Sequence, residues 1–219
     1  MQLTQAESTE QASDVRPRTN DAGHPSIEQR VTVTRQLVES RQNVSPKRLT
    51  EPGPTGMELE AIFSMAAAAP DHGQLLPWRF VIVPQDKRGL LAEVFALSLV
   101  DRDPGATLVQ IEAAREKAHR SPLLILAIAR LVSDQEPEIP NVERMVSLGC
   151  AVQNMLLASH AMGFGSGLTS GQAMAFPRMR ALFSLSDDET AVCFVNVGTV
   201  SKRKLARVKP SVEQFVTSL

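Results

Sequence analysis

Apolar positions along this chain recur at more than one period, and each pattern predicts an element. From Ser26, "IEQRVTVTRQLVES" predicts a helix ending near Arg41, with Ser26 as cap and Ile27, Val31, Leu37 and Val38 as a loosely helical apolar face. Its β-branched run weakens that pattern in the first half. The polar, Pro- and Gly-rich stretch "RQNVSPKRLTEPGPTG" reads as a loop. Thr55 then opens a second helix, with Glu58 completing a capping box ahead of Leu59, Ile62, Phe63 and Ala66. Pro70 ends it, because the residue before a proline is pushed away from helical geometry. "WRFVIV" predicts a strand, and helices follow from about Asp86 to Val100 and from about Ala106 to Arg120.

Two later stretches, "PLLILAIARLV" and "TAVCFVNVGTV", are apolar without alternation, the signature of strands covered on both faces. Between them "NVERMVSLGCAVQNMLLASHAMGFG" predicts a long helix, apolar almost all round, that Gly163 and Gly165 would stop. A short helix near Arg178 to Leu185 precedes the last strand, and the C-terminal tail is basic and then amphipathic. The sum is an α+β domain over residues 27–219, a small buried sheet among more numerous helices. Residues 1–26 carry few large apolar side chains and no periodicity, and read as a disordered or flexible arm.

Composition refines this picture in three places. Aromatic residues are 4% of the chain, with no tyrosine and one tryptophan, so the core must be aliphatic and alanine-rich with closely packed helices. At 219 residues that core needs no disulfide or metal. Cys150 and Cys193 lie in apolar surroundings without a CxxC pair, which suits buried free thiols in a reducing cytoplasm; a disulfide or nucleophile has no supporting residue nearby. A net charge of −1, from 23 basic and 24 acidic residues, argues against a nucleic-acid binder. No secretory signal and no run of about 18 apolar residues is present, so neither export nor a membrane span is expected.

Several chemistries fail on pattern. "GFGSGLTSG", Gly163 to Gly171, follows a helix, whereas a dinucleotide fingerprint follows a strand and opens a helix. What survives is a turn with free N–H groups and the hydroxyls of Thr169 and Ser170, able to hold a polar ring or a carbonyl; an ordinary helix-ending loop is the alternative. His24, His72, His119 and His160 lack zinc-ligand spacing, and no GxSxG elbow supports a serine hydrolase. Arg41, Lys47 and Arg48, and separately Arg207 and Lys209, are either solvent-facing or two distant clusters that converge on a phosphate. His72, in the turn "PDHG" ahead of the lone Trp78, is either a surface histidine or a loop residue held by rigid flanks for function.

Four segments taken together resemble the nitroreductase superfamily of FMN enzymes, in particular its YdjA-like subgroup. They are "SRQNVSPKRLTEPGPTGMELEAIF", "AAPDHGQLLPWRFVIV", "GCAVQNMLLASHAMGFGSGLTSG" and "FVNVGTV", in the family's order and near its spacing. The resemblance spans roughly residues 27 to 219 and implies a small mixed sheet surrounded by helices in an intertwined homodimer, with FMN at the subunit interface. It implies that Arg41 meets the phosphate or the pyrimidine end of the flavin, with Gln42 and Asn43 beside it. Pro70, Asp71 and His72 would come from the other subunit, with Trp78 anchoring the strand and loop. Leu168, Thr169 and Ser170 would pack at the isoalloxazine ring, and Lys209 and Arg207 would serve the phosphate. Relatives can carry Trp-Arg-Ser where this chain has Leu168-Thr169-Ser170, so one positive group is missing.

The activity so implied is a two-stroke transfer: NADPH or NADH delivers hydride to flavin N5 and leaves, and an oxidised acceptor such as a nitroaromatic or quinone takes its place. No side chain need act as acid or base, so the resemblance names cofactor residues and no catalytic residue. A non-catalytic FMN-binding or regulatory protein is the alternative.

Overall fold

The computed structural model describes residues 25–132, 139–205 and 208–219. The chain divides into two units, Met1–Gln36 and Leu37–Leu219. Most of the arm expected over residues 1–26 falls outside the described residues, as does Arg207. Helix α1 (Ile27–Ser40) begins where the Ser26 cap predicts: Ser26 Oγ accepts from the Gln29 N–H at 3.1 Å. The apolar face expected on α1 contains no buried residue.

Beyond α1, a two-residue strand β1 (Leu49–Thr50) leads to α2 (Gly56–Ala67). Glu58 reaches back to the Thr55 N–H at 3.1 Å, so the expected cap forms. Strand β2 (Trp78–Ile82) starts at the tryptophan, which is buried and anchors it in the core. Then come α3 (Arg88–Arg102), α4 (Leu108–Arg115), β3 (Leu123–Arg130), the long α5 (Asn141–Ala161), β4 (Gly165–Thr169), α6 (Pro177–Leu182) and β5 (Glu189–Val200).

The sheet runs β1-β5-β3-β2, with β4 also paired to β5. All the named strand pairs are antiparallel, and the mixed character expected of the sheet reduces to one parallel bridge between Asn43 and Ser166. Strands β3 and β5 are central, which explains their unbroken apolar runs: alternate side chains feed two separate cores. Ile125, Ala127, Val195 and Val197 pack with α2 and α5 on one face. Leu124, Leu126, Ile128 and Phe194 pack with α3 and Met179 of α6 on the other. Each fully buried leucine or isoleucine there contributes roughly 1.5–3 kcal/mol.

One buried cation fastens α3 to the sheet. Arg88, 1% exposed, donates to four backbone carbonyls: Val83 at 2.7 Å, Ala118 at 2.7 Å, Ser121 at 3.2 Å and Pro122 at 3.1 Å. Its charge is therefore solvated by peptide oxygens that would otherwise be orphaned between β2, α4 and β3.

Strand β4 corrects the sequence reading. The glycines of "GFGSGLTSG" suggested a loop, yet Gly165–Thr169 pairs with Gly198–Phe194 along β5. Here glycine marks close approach rather than a turn. A Cβ on Gly167 would collide with the Val44 carbonyl oxygen, so only glycine lets the segment after α1 lie against β4. Among the described residues no helix is long and apolar enough to cross a membrane.

Candidate functional site

The segment leaving α1 runs beside β4. Val44 donates to the Ser166 carbonyl at 2.9 Å, and the Asn43 side-chain oxygen accepts from the Leu168 N–H at 3.3 Å. The segment of Arg41, Gln42 and Asn43 is thereby joined to the strand of Leu168 and Thr169. Two cavities lie at the ends of this strand.

The smaller, about 160 Å³, is lined by Arg41, Gln42, His160, Ser166 and Arg203 together with the Gly163–Gly165 turn. Ser166 Oγ is buried and has no hydrogen-bond partner, an unusual state for a hydroxyl in a folded protein. His160 Nε2 lies 2.7 Å from Ser40 Oγ. Burial pushes the His160 imidazole below its ordinary pKa, and the positive charges of Arg41 and Arg203 push the same way. Lys209 Nζ donates to the Glu39 carbonyl at 2.8 Å, which brings the C-terminal segment to the end of α1, two residues before Arg41. An unpartnered hydroxyl with two guanidinium groups, in a space this small, has the chemistry of a phosphate site.

The larger cavity, about 480 Å³, opens at the other end of β4, roughly 13 Å away by strand rise. Its floor is apolar, with Phe95 edge-on to Phe194 at a centroid distance of 5.9 Å. Thr169, Ser170, Gly171 and Gln172 line it, as do Arg102, Lys117 and Arg120. The hydroxyls expected to be free are engaged. Thr169 Oγ1 accepts from Asn196 Nδ2 at 3.0 Å, and Ser170 Oγ donates to the Val192 carbonyl at 3.0 Å. Asn196, 1% exposed, also accepts from Ser121 Oγ at 3.0 Å. Its network fixes the wall rather than offering groups to a ligand.

Sequence reasoning missed Asn196, Arg203 and His160. The signal for Asn196 was on the page: one amide inside the apolar run "FVNVGTV" must find partners wherever it is buried. No local pattern could show Arg203 and His160 meeting Arg41, because their meeting is tertiary.

Pro70, Asp71 and His72 sit elsewhere. His72 Nδ1 is 2.8 Å from Glu143 in the first turn of α5, whereas Ser40 meets His160 in its last turn. Seventeen helical steps separate the two, about 25 Å, so one chain does not bring this turn to Arg41. Asp71 itself holds the turn: its carboxylate accepts from the Leu75 and Leu76 N–H groups at 3.1 and 2.8 Å, and Leu76 has a φ of 46°. Both cysteines are free thiols, but only Cys193 is buried; Cys150 is half-buried. Burial pushes the Cys193 thiol up to about 11, so it is no nucleophile.

The chain is 31% identical over 183 residues to the "Putative NAD(P)H nitroreductase YdjA" of Escherichia coli (strain K12), covering 83% of this chain and 97% of that one. Among solved structures it resembles a nitroreductase-like family protein from Bacillus cereus, with a TM-score of 0.72 at 16% identity over 91% of this chain and 99% of that one. It also resembles a nitroreductase with bound FMN from Bacteroides fragilis NCTC 9343, with a TM-score of 0.63 at 19% identity over 84% and 97%. The Nitroreductase family profile matches residues 42–199, from the segment beside β4 to the end of β5. This chain belongs to the nitroreductase family.

Proposed function

We propose that this chain is an FMN-dependent oxidoreductase that takes hydride from NADPH or NADH and passes the electrons to an oxidised organic acceptor, a nitroaromatic or a quinone. The observation that carries this reading is the pair of cavities at opposite ends of β4, one phosphate-sized and cationic, the other ring-sized. FMN has that outline, a phosphate joined by a polar chain to a flat ring system. The donor set fits it. Arg41 and Arg203 would hold the phosphate, Lys209 would close the same end, and the polar chain would pass over Asn43 toward the larger cavity. Thr169, held by Asn196, would present the wall for the ring, whereas Leu168, its neighbour on the opposite face of β4, does not line that cavity. The chemistry that bound FMN supplies is two-electron exchange, with hydride in from the nicotinamide and electrons out to the acceptor. The chain's own task is to bind and orient. The acceptor takes its proton from solvent, so no side chain is assigned as an acid or base.

The site is completed by a second copy of the chain. Pro70, Asp71 and His72 lie about 25 Å from the Arg41 end of their own α5, and in a homodimer they reach the flavin of the partner. The two free thiols fit a reducing cytoplasm.

A visible spectrum of the purified protein, followed by anaerobic addition of NADPH or NADH and then a quinone, tests this directly. Flavin absorbance should bleach with the nucleotide and return with the quinone. A flavoprotein that neither nucleotide bleaches would be a non-catalytic FMN binder. A colourless protein that takes up no added FMN would overturn the reading altogether.

A further inference from the structure

The larger cavity contains more positive charge than a flavin mononucleotide can use. Its apolar floor and volume of about 480 Å³ suit a small organic molecule. Arg102 stands at the end of α3, and Lys117 and Arg120 follow α4. Among the described residues no carboxylate lines this space, and none of the three cations takes part in an ion pair. Three nearby acids are engaged elsewhere, Asp101 with Arg178 and Glu93 and Glu112 both with Arg115, while Asp103 and Glu116, the chain neighbours of Arg102 and Lys117, do not line the cavity. In a chain whose net charge is −1, three unpaired cations around one apolar floor are a local separation of charge, not a general basicity. FMN has one phosphate, and the cavity of Arg41 and Arg203 at the other end of β4 has the size and donors for it. The second cluster is therefore left for a second anion, one that docks at the flavin in turn with the phosphates of the nucleotide.

We infer that this cavity selects a flat, conjugated acceptor bearing a carboxylate, its ring against the apolar lining of Phe95, Leu99 and Met174 and its charge held by Arg102, Lys117 and Arg120. The inference rests on the redox function proposed above. A nitrobenzoate illustrates the balance: the nitro group, NAD(P)H and one proton give the nitroso group, NAD(P)+ and water, and the carboxylate is unchanged. An anion held among charged donors in a partly enclosed cavity is favoured over its neutral analogue by about tenfold or more.

Two readouts on the protein as purified test this. Calorimetry with benzoate and benzamide measures anion selectivity without turnover, and steady-state oxidation of NAD(P)H compares 4-nitrobenzoate with 4-nitrobenzamide. Benzoate should bind at least about tenfold tighter than benzamide, and the nitro pair should show the same order in kcat/KM. The double substitution R102Q/K117Q should abolish both preferences, and K117R should retain them. Equal binding of benzoate and benzamide, or a preference that survives R102Q/K117Q, would overturn the proposal. So would a double variant that loses affinity for FMN while the anion preference stays, since the cluster would then belong to the cofactor. A protein that binds benzoate selectively yet never oxidises NAD(P)H would overturn the redox function and leave the anion selectivity standing.

Discussion

Arginines and their acceptors decide most of what single residues do in this protein. Arg88 is the most consequential structural one. Truncating it to methionine leaves three buried carbonyls, Val83, Ala118 and Ser121, without this donor, and the expected loss is about 3–5 kcal/mol, read by urea denaturation. A loss below about 1 kcal/mol would mean water or a neighbour replaces the guanidinium. Glu189 is 5% exposed and pairs with Arg79 at 2.6 Å, and the Arg79 guanidinium holds its carboxyl down to about 2. A carboxyl depressed in the folded state stabilises fully above its unfolded value of 4.5 and loses that contribution as pH falls toward 2. Unfolding titrations should therefore show stability falling between about pH 4.5 and 2, and E189Q should flatten that slope. At the proposed phosphate site, Arg41→Ala should weaken FMN or inorganic phosphate binding by about tenfold or more while leaving the fold intact. Phosphate should also raise the His160 pKa, because it offsets the positive charges that now depress it. An NMR titration of the imidazole with and without phosphate reads this, and an unmoved pKa would remove His160 from the site.

At the scale of elements, β4 is the one on which the proposed function turns. It was legible as a glycine-rich segment but not as a strand, because its pairing partner is β5 and its sequence has neither alternation nor β-branched residues before Thr169. Two constraints hold it: the Asn196 network on one side and the backbone of Asn43–Val44 on the other. Gly167→Ala should drive that segment away and cost about 1–3 kcal/mol, with loss of FMN retention exceeding the loss of thermal stability. Parallel melts and flavin spectra measure the two effects; a variant that keeps FMN would show that the bridge is dispensable. The helices were far more legible, since caps at Ser26 and Thr55, breakers at Pro70 and Gly163, and long apolar stripes are local signals.

The whole molecule raises the question of the second copy. The turn Pro70–His72 and the Arg41 cluster lie at opposite ends of one α5, so a site that uses both takes them from different chains. Mixing Arg41→Ala protein with Asp71→Ala protein under conditions that exchange subunits tests this. Each variant alone lacks half of every site, and a mixed dimer regains one intact site. About a quarter of full FMN occupancy should therefore return, by fluorescence of bound against free flavin. No recovery, or a stable monomer that retains FMN on dilution, would defeat the shared site.

Local physics settled much of this protein before any fold was known. Capping, proline and glycine punctuation, and the contrast between amphipathic and continuous apolar runs determine where helices and central strands lie, because these signals act within a few residues. The resemblance that four segments carry implied flavin contacts for Arg41, Asn43 and Leu168–Ser170, and the structure joins Asn43 to Leu168. Tertiary structure decided the rest. It placed Arg203 and His160 beside Arg41, engaged the Thr169 and Ser170 hydroxyls, set Pro70–His72 apart, and gathered around one cavity three cations that form no ion pair among the described residues. Each of those facts depends on contacts between residues tens of positions apart, and the chain closes such contacts only when its core assembles.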